Sequence, residues 1–296
     1  MKIVPPPISD SPPSPHAHGG SAERHGQSSA FHGLWLGLCL LCAGLSASSC
    51  KNQEEIKARG KSAGEVMELK IGGEMVAFSW VPRGKFLMGS PESEVARETD
   101  EQQVEVEIDK GFWLAKTECT QKLWVSVMGS NPSEFSKDLS CPVDTVSWDD
   151  CQRFIAAVQK HSPNRAWRFD LPTEEQWEYA CRAGLPFPFP DQLEKISWFL
   201  NNSRGRTHPV ATKPPNLLGL HDMHGNVSEW CRSLYVRRAG GVASDESIAA
   251  EERKFRVIRG GSWDSAWACR AAARNSDSPS LRINRVGFRL ALVPAE

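Results

Sequence analysis

Hydrophobic periodicity breaks off after Gly184 and returns only at Val257. Between them, residues 185–255 carry Pro and Gly punctuation and short turn signals, with neither the helical nor the strand period. So long a stretch reads as loops and short turns. The composition agrees: 11 Trp stand against 2 Tyr, and bulky Trp side chains suit an irregular fold packed by large groups. There are no internal repeats.

Regular elements are legible on either side. Met75–Phe78 and Phe86–Met88 read as short strands joined through Pro82-Arg83-Gly84. Residues 90–103 form a polar, acidic loop. Val104, Val106 and Ile108 alternate with Glu105 and Glu107 as a half-exposed strand that continues into Phe112-Trp113-Leu114. Thr120 caps a helix that buries Trp124, Val127 and Met128 and ends at Gly129. Ser147 with Asp150 opens a second, burying Trp148, Cys151, Phe154, Ile155 and Val158. Thr173 with Gln176 opens a third, which buries Trp177, Ala180 and Cys181 and stops at Gly184. Val257-Ile258 lead a strand into Gly260-Gly261, and Val286–Leu292 is the closing strand.

The N-terminus has a different character. Residues 1–33 are rich in Pro, Ser, Gly and His and bury no core. Leu34–Ala47 is an apolar run of about 14 residues, short of the roughly 20 that span a bilayer and the right size for a secretory signal. Ala47-Ser48-Ser49-Cys50 resembles a bacterial lipobox, with Ala47 where Leu is usual; Cys50 is then the lipidated residue. The chain therefore divides into a leader over 1–50, a solvated tether over 51–70 and a domain over 71–296. The expected location is the cell envelope, as an outer-membrane or cell-surface lipoprotein held to the membrane by its lipid. Six Cys lie in the body, widely spaced and without a CxxC pair. They read mainly as small buried residues, although an even number in an exported chain permits disulfides. Net charge is −1 with no basic stripe, which leaves nucleic acid out as a partner.

Several phrases stand in order: Phe86-Leu87-Met88-Gly89-Ser90, Glu118-Cys119-Thr120-Gln121, Leu171-Pro172-Thr173-Glu174-Glu175-Gln176-Trp177-Glu178-Tyr179-Ala180, Leu218-Gly219-Leu220-His221-Asp222-Met223, Gly225-Asn226-Val227-Ser228-Glu229-Trp230, Arg259-Gly260-Gly261-Ser262-Trp263 and Gly287-Phe288-Arg289. They resemble the sulfatase-modifying-factor or formylglycine-generating-enzyme family from about residue 72 to 294. The resemblance implies an α+β fold of the formylglycine-generating-enzyme type, C-type-lectin-like with much irregular structure, in agreement with the helix and strand signals above. The family's oxidases convert a client cysteine with a C-x4-C pair just after the Gly-Gly-Ser phrase, two thiolates converging on copper(I) or on the substrate thiol. Here Ser265 and Arg270 stand in the two places, with Cys269 alone nearby. No copper cofactor is expected, and the enzyme reading is the weaker one. The iron-binding His-x3-His-x-Glu pattern of sulfoxide-synthase relatives, GxSxG, a P-loop and HExxH are all absent.

The resemblance further implies calcium, held by the Asp222 and Glu229 side chains and the Gly225 and Val227 carbonyls. The rival reading is a capped turn in which Glu229 accepts backbone hydrogen bonds. His221 and His224 read as surface residues. A second resemblance concerns Asp264–Val286, which has no Lys, Glu, Gln or Met. Its layout is similar to that of family members diversified by retroelements, whose adenine-mutated Asn codons cannot become those residues. That resemblance implies an exposed ligand face comprising Asp264, Ser265, Ala268, Ala271, Ala273, Asn275, Ser276, Asp277, Ser280, Leu281, Ile283 and Asn284. Trp267 belongs to the same face as a fixed residue. Ala266, Cys269, Arg270, Ala272, Arg274, Pro279, Arg282 and Arg285 are framework. The leading functional expectation is a surface lipoprotein that binds a protein or glycan ligand through this face. The alternative is a formylglycine-generating oxidase, or a related maturation factor, for an exported client.

Overall fold

Gly72 and Gly73, at φ 59° and 96°, turn the chain between two strands, β1 (Val66–Ile71) and β2 (Glu74–Val81). The computed structural model describes residues 59–186, 193–236 and 254–295. Cys50 and the leader lie outside the described residues. β1 takes in Val66–Lys70, which the sequence reading gave to the tether; Val66, Glu68 and Lys70 are exposed while Ile71 is buried, a polar pattern that hides the strand.

β2 pairs with β5 (Phe112–Ala115), β5 with β11 (Ala291–Pro294) and β11 with β6 (Trp167–Asp170), giving a five-stranded antiparallel sheet in the order β1-β2-β5-β11-β6. Its central strands are buried on both faces. Trp113, Ala115, Leu290 and Leu292 face one core, and Phe112, Leu114, Ala291 and Val293 face the other. A strand covered on both sides reads as a continuous apolar run, which is why Phe112–Ala115 does not alternate. Trp80 meets Trp113 and Trp167 edge-on, at ring separations of 5.1 and 6.0 Å. Each such side chain contributes about 1.5–3 kcal/mol through burial.

β3 (Gly84–Met88) and β4 (Val104–Ile108) form a separate hairpin. Helix α1 (Gln121–Met128) is capped by Thr120, whose hydroxyl accepts from the Leu123 N–H, and stops at Gly129 with φ 82°. Helix α2 (Trp148–Val158) has the full Ser147–Asp150 capping box, and α3 (Glu174–Arg182) that of Thr173–Gln176. In α3 two left-handed residues end the helix, Ala183 at φ 47° and the expected Gly184 at φ 85°. Trp124 of α1 stacks on Phe154 of α2 at 5.2 Å. A short helix, α4 (Leu193–Ile196), follows.

The second sheet runs β10-β7-β8-β9, from β7 (Ser228–Leu234), β8 (Arg256–Arg259), β9 (Arg274–Asp277) and β10 (Val286–Gly287). The expected single closing strand is therefore divided: Val286–Gly287 pairs with β7 and Ala291–Pro294 with β5 and β6. β7 lies inside the stretch without period; its buried residues Glu229, Trp230 and Cys231 are consecutive, so no alternation marks it. The six body cysteines are free and buried, as the small-residue reading expected.

Candidate functional site

The face predicted from the sequence begins where β8 ends. Gly260 and Gly261 take φ 97° and 68°. A Cβ on Gly261 would stand 2.7 Å from the backbone of Ala268 and Cys269, so the chain crosses itself here only with glycine. Beyond the crossing, Trp267–Cys269 makes one tight turn that leaves Trp267 62% exposed and buries Cys269 completely.

Three buried arginines then fix the segment. Arg259 is 1% exposed; its guanidinium pairs with Glu178 and donates to the carbonyls of Ala271, Ala272 and Ala273 at 2.8–3.0 Å. Arg270 donates to Glu101 at 2.6 and 2.8 Å, to Glu94 at 2.6 Å and to the Ala96 carbonyl at 2.7 Å. Arg274 holds Glu174 at 2.6 and 3.0 Å. Such forked pairs fix orientation as well as position. The return leg is tied to α2: Arg282 donates to Asp150 at 2.7 and 2.9 Å, and the Asp149 N–H donates to the Pro279 carbonyl at 3.1 Å. The framework reading of Arg270, Arg274 and Arg282 thus acquires partners, among them Glu94 and Glu101 of the acidic loop, which no sequence pattern pairs with them.

Of the predicted ligand residues, Trp267, Asn275 and Ser280 are exposed; Asp264, Ser265, Ala268, Ser276, Asp277, Leu281, Ile283 and Asn284 are half-buried. Ala271 and Ala273 depart from the prediction, being 1% and 8% exposed. Their carbonyls strap Arg259, which turns both methyl groups inward. Leu281 and Ile283 lean on the core. Ser265, Ala268, Ala273, Asn275, Asp277, Leu281 and Ile283 share one cleft of about 50 Å³, far below the roughly 300 Å³ or more of small-molecule pockets. The face is a shallow surface. Leu200 joins its rim: it is 57% exposed, and its N–H donates to the Ser265 carbonyl at 3.0 Å. Nothing in the sequence placed it there.

Cys269 does not present a reactive thiol. Burial pushes it up to about 12, where the nucleophilic thiolate is scarce at neutral pH. Ser265 shares its hydroxyl with Ser262 at 3.0 Å, and Arg270 is committed to its carboxylates.

The residues read as a calcium set lie on the loop before β7, where Asp222, Gly225 and Asn226 all have positive φ. Both oxygens of Glu229 are occupied: Arg289 donates to them at 2.7 Å through Nε and Nη2, and Trp177 Nε1 donates at 2.8 Å. The partners of Glu229 are therefore side chains, not the backbone groups of a capped turn. Val227 is fully buried, and Gly225 passes against Trp198, whose carbonyl oxygen would stand 2.3 Å from a Cβ. Asp222 takes one hydrogen bond on Oδ2, from the Ala211 N–H at 2.8 Å, and none on Oδ1. His224 is buried, against the surface expectation. Its Nδ1 lies 2.7 Å from the Cys269 carbonyl, and burial brings its pKa down to about 4. Among the described residues no three metal-ligating side chains converge.

A scaffold of two curled sheets, with a surface segment anchored by buried arginines, defines a C-type-lectin-like protein. The sulfatase-modifying factor enzyme 1-like domain model matches residues 64–293, and the chain belongs to that family. It is 26% identical over 207 residues to the chaperone protein LppX of Paenibacillus barcinonensis, covering 52% of this chain and 70% of that one. It is 29% identical over 196 residues to the formylglycine-generating enzyme of Mus musculus, covering 57% of this chain and 50% of the enzyme. Among solved structures, Treponema denticola variable protein 1 superposes with a TM-score of 0.69 at 25% identity, over 77% of this chain and 99% of that one. PvdO from Pseudomonas aeruginosa superposes with a TM-score of 0.68 at 28% identity, over 79% and 99%.

Proposed function

We propose that this protein is a lipid-anchored envelope protein that binds a protein or glycan ligand through the surface of residues 264–284. The observation that carries this reading is the contrast between fixed framework and open side chains in one segment. Arg259, Arg270 and Arg274 are locked into buried carboxylates, while Trp267, Asn275 and Ser280 stand in solvent. An exposed Trp in a segment of short polar side chains is the composition of an adaptable binding surface, with the aromatic as its anchor. Similarity to a variable protein supports diversification of this segment. Export would follow from the apolar run before Cys50, and anchoring from lipid on that residue.

The oxidase alternative is less favoured, because the segment offers one buried thiol where the oxidases' chemistry uses two. Binding is tested by presenting the purified full-length protein to arrays of glycans and envelope proteins, beside Trp267→Ala. The expected result is a defined set of bound ligands lost at least tenfold in the variant. Binding unchanged by the substitution, or none across the arrays, would overturn the reading. Conversion of a cysteine in a sulfatase-type peptide by the copper-loaded protein would establish the alternative.

A further inference from the structure

The loop between α4 and β7 carries two exposed arginines, Arg204 and Arg206, and neither forms an ion pair among the described residues. Both line a cavity of about 360 Å³ between that loop and the segment after α1, a size within the range of small-molecule sites. Lys137 adds a third cation to its wall. The loop is clamped on either side of the arginines. The Ser203 hydroxyl donates to the Trp263 carbonyl at 2.7 Å, the His208 N–H donates to Asn226 Oδ1 at 2.9 Å, and the His208 ring stacks on Trp198 at 3.8 Å. Between the clamps, Arg204 at φ 58° and Gly205 at φ 70° make a left-handed turn. Thr207 of the same wall is 3% exposed, and its hydroxyl has no partner beyond the weak one that the Cys141 thiol offers. Burial pushes that thiol up to about 11, so it stays protonated and adds no charge to the cavity.

Two carboxylates share the cavity. Asp138 Oδ1 accepts from the Ser140 N–H and hydroxyl at 2.9 and 2.6 Å, and Glu134 Oε2 accepts from Asn284 Nδ2 at 3.0 Å. Each keeps its other oxygen for a further donor. Phe135 supplies an apolar wall, and its ring meets Trp263 edge-on at 5.4 Å. The contacts of Glu134 with Asn284 and of Phe135 with Trp263 set the cavity beside the binding face. Guanidinium forks match a carboxylate, carboxylate oxygens accept hydroxyl protons, and an apolar ring covers C–H surface. We infer that the cavity seats an acidic sugar of a glycan ligand, with its carboxylate on Arg204 and Arg206 and its hydroxyls on Glu134 and Asp138. The inference rests on the proposed function in reading the ligand as a glycan; it adds the charge of the sugar and the place where it docks. An acidic peptide would bring the same carboxylate without hydroxyls to answer Glu134 and Asp138.

The test is calorimetric titration of the full-length protein with glucuronate, N-acetylneuraminate, glucose, glutamate and inorganic phosphate, beside the double variant Arg204→Asn with Arg206→Gln and beside Trp267→Ala. Both arginines are exposed, and Asn tolerates the positive φ at position 204, so the double variant should melt with wild type. An acidic sugar should bind wild type, with glucose, glutamate and phosphate each at least about tenfold weaker, and the double variant should lose at least about tenfold of the acidic sugar's affinity. Trp267→Ala should leave that affinity unchanged. Silence towards both acidic sugars, equal binding of glucose, glutamate or phosphate, or a double variant that binds as wild type does would overturn the inference. The glycan arrays separate its failure from that of the binding face. Neutral glycans lost in Trp267→Ala would leave the face standing and overturn the acidic sugar. Acidic glycans lost in the double variant and kept in Trp267→Ala would overturn the face and leave the cavity.

Discussion

Arg270 stands where the family's oxidases carry their second cysteine, and its guanidinium is spent on Glu94 and Glu101. A substitution there acts on stability before it acts on chemistry. Arg270→Met leaves two buried carboxylates without their cation, and breaking a buried pair of this kind costs about 3–5 kcal/mol. Urea unfolding should show a midpoint lowered accordingly. His224 carries the clearest pH signature. Its folded pKa of about 4 lies below the unfolded value near 6.5, because burial disfavours the charged ring. The unfolded chain therefore binds the proton first. Stability from this residue is complete above pH 6.5 and is lost as pH falls towards 4, by roughly 3 kcal/mol over that window. Unfolding at pH 7.5 and at pH 5 should show the loss, and His224→Gln should flatten the dependence. A pH profile unchanged by that substitution would contradict the assignment.

At the scale of elements, the helices and caps were legible because their signals are local. Thr120, Ser147 and Thr173 each reach a backbone N–H three residues on, within a single turn. β6, β7 and β9 were not legible, since their buried faces mix Asp, Glu, Arg and Ser whose partners lie far away in sequence. Arg274 of β9 with Glu174 and Glu229 of β7 with Arg289 are such pairs. Within Asp264–Val286 the exposure expected of Ala271 and Ala273 is not found, because the carbonyls that strap Arg259 leave no trace in side-chain composition. The crossing at Gly261 is the element on which the presentation of Trp267 depends. Gly261→Ala combines a positive φ with a contact of 2.7 Å to backbone. It should destabilise by at least about 2 kcal/mol and weaken array binding together with Trp267→Ala. A variant as stable as wild type would show that the crossing is looser than drawn.

At the scale of the whole molecule, the five-stranded sheet joins the first and last strands of the domain, and the leg from Gly260 to Val286 supplies β9 at one edge of the second sheet and leads into β10 at the other. The proposed function requires the side chains of that leg to vary while the three arginines and their carboxylates stay. Asp264, Ser265, Ala268, Asn275, Ser276, Asp277, Ser280, Leu281, Ile283 and Asn284 are the positions at which a diversified face is predicted to change. Arg259, Ala271, Ala273, Arg270 and Arg274 are not. The measurement that tests this most directly is sequencing the 3′ end of the gene across many clones of the source strain. Substitutions confined to the first group, over an unchanged second group, are the predicted result. A segment identical in every clone, or changes scattered equally over the buried arginines and alanines, would contradict a diversified binding face.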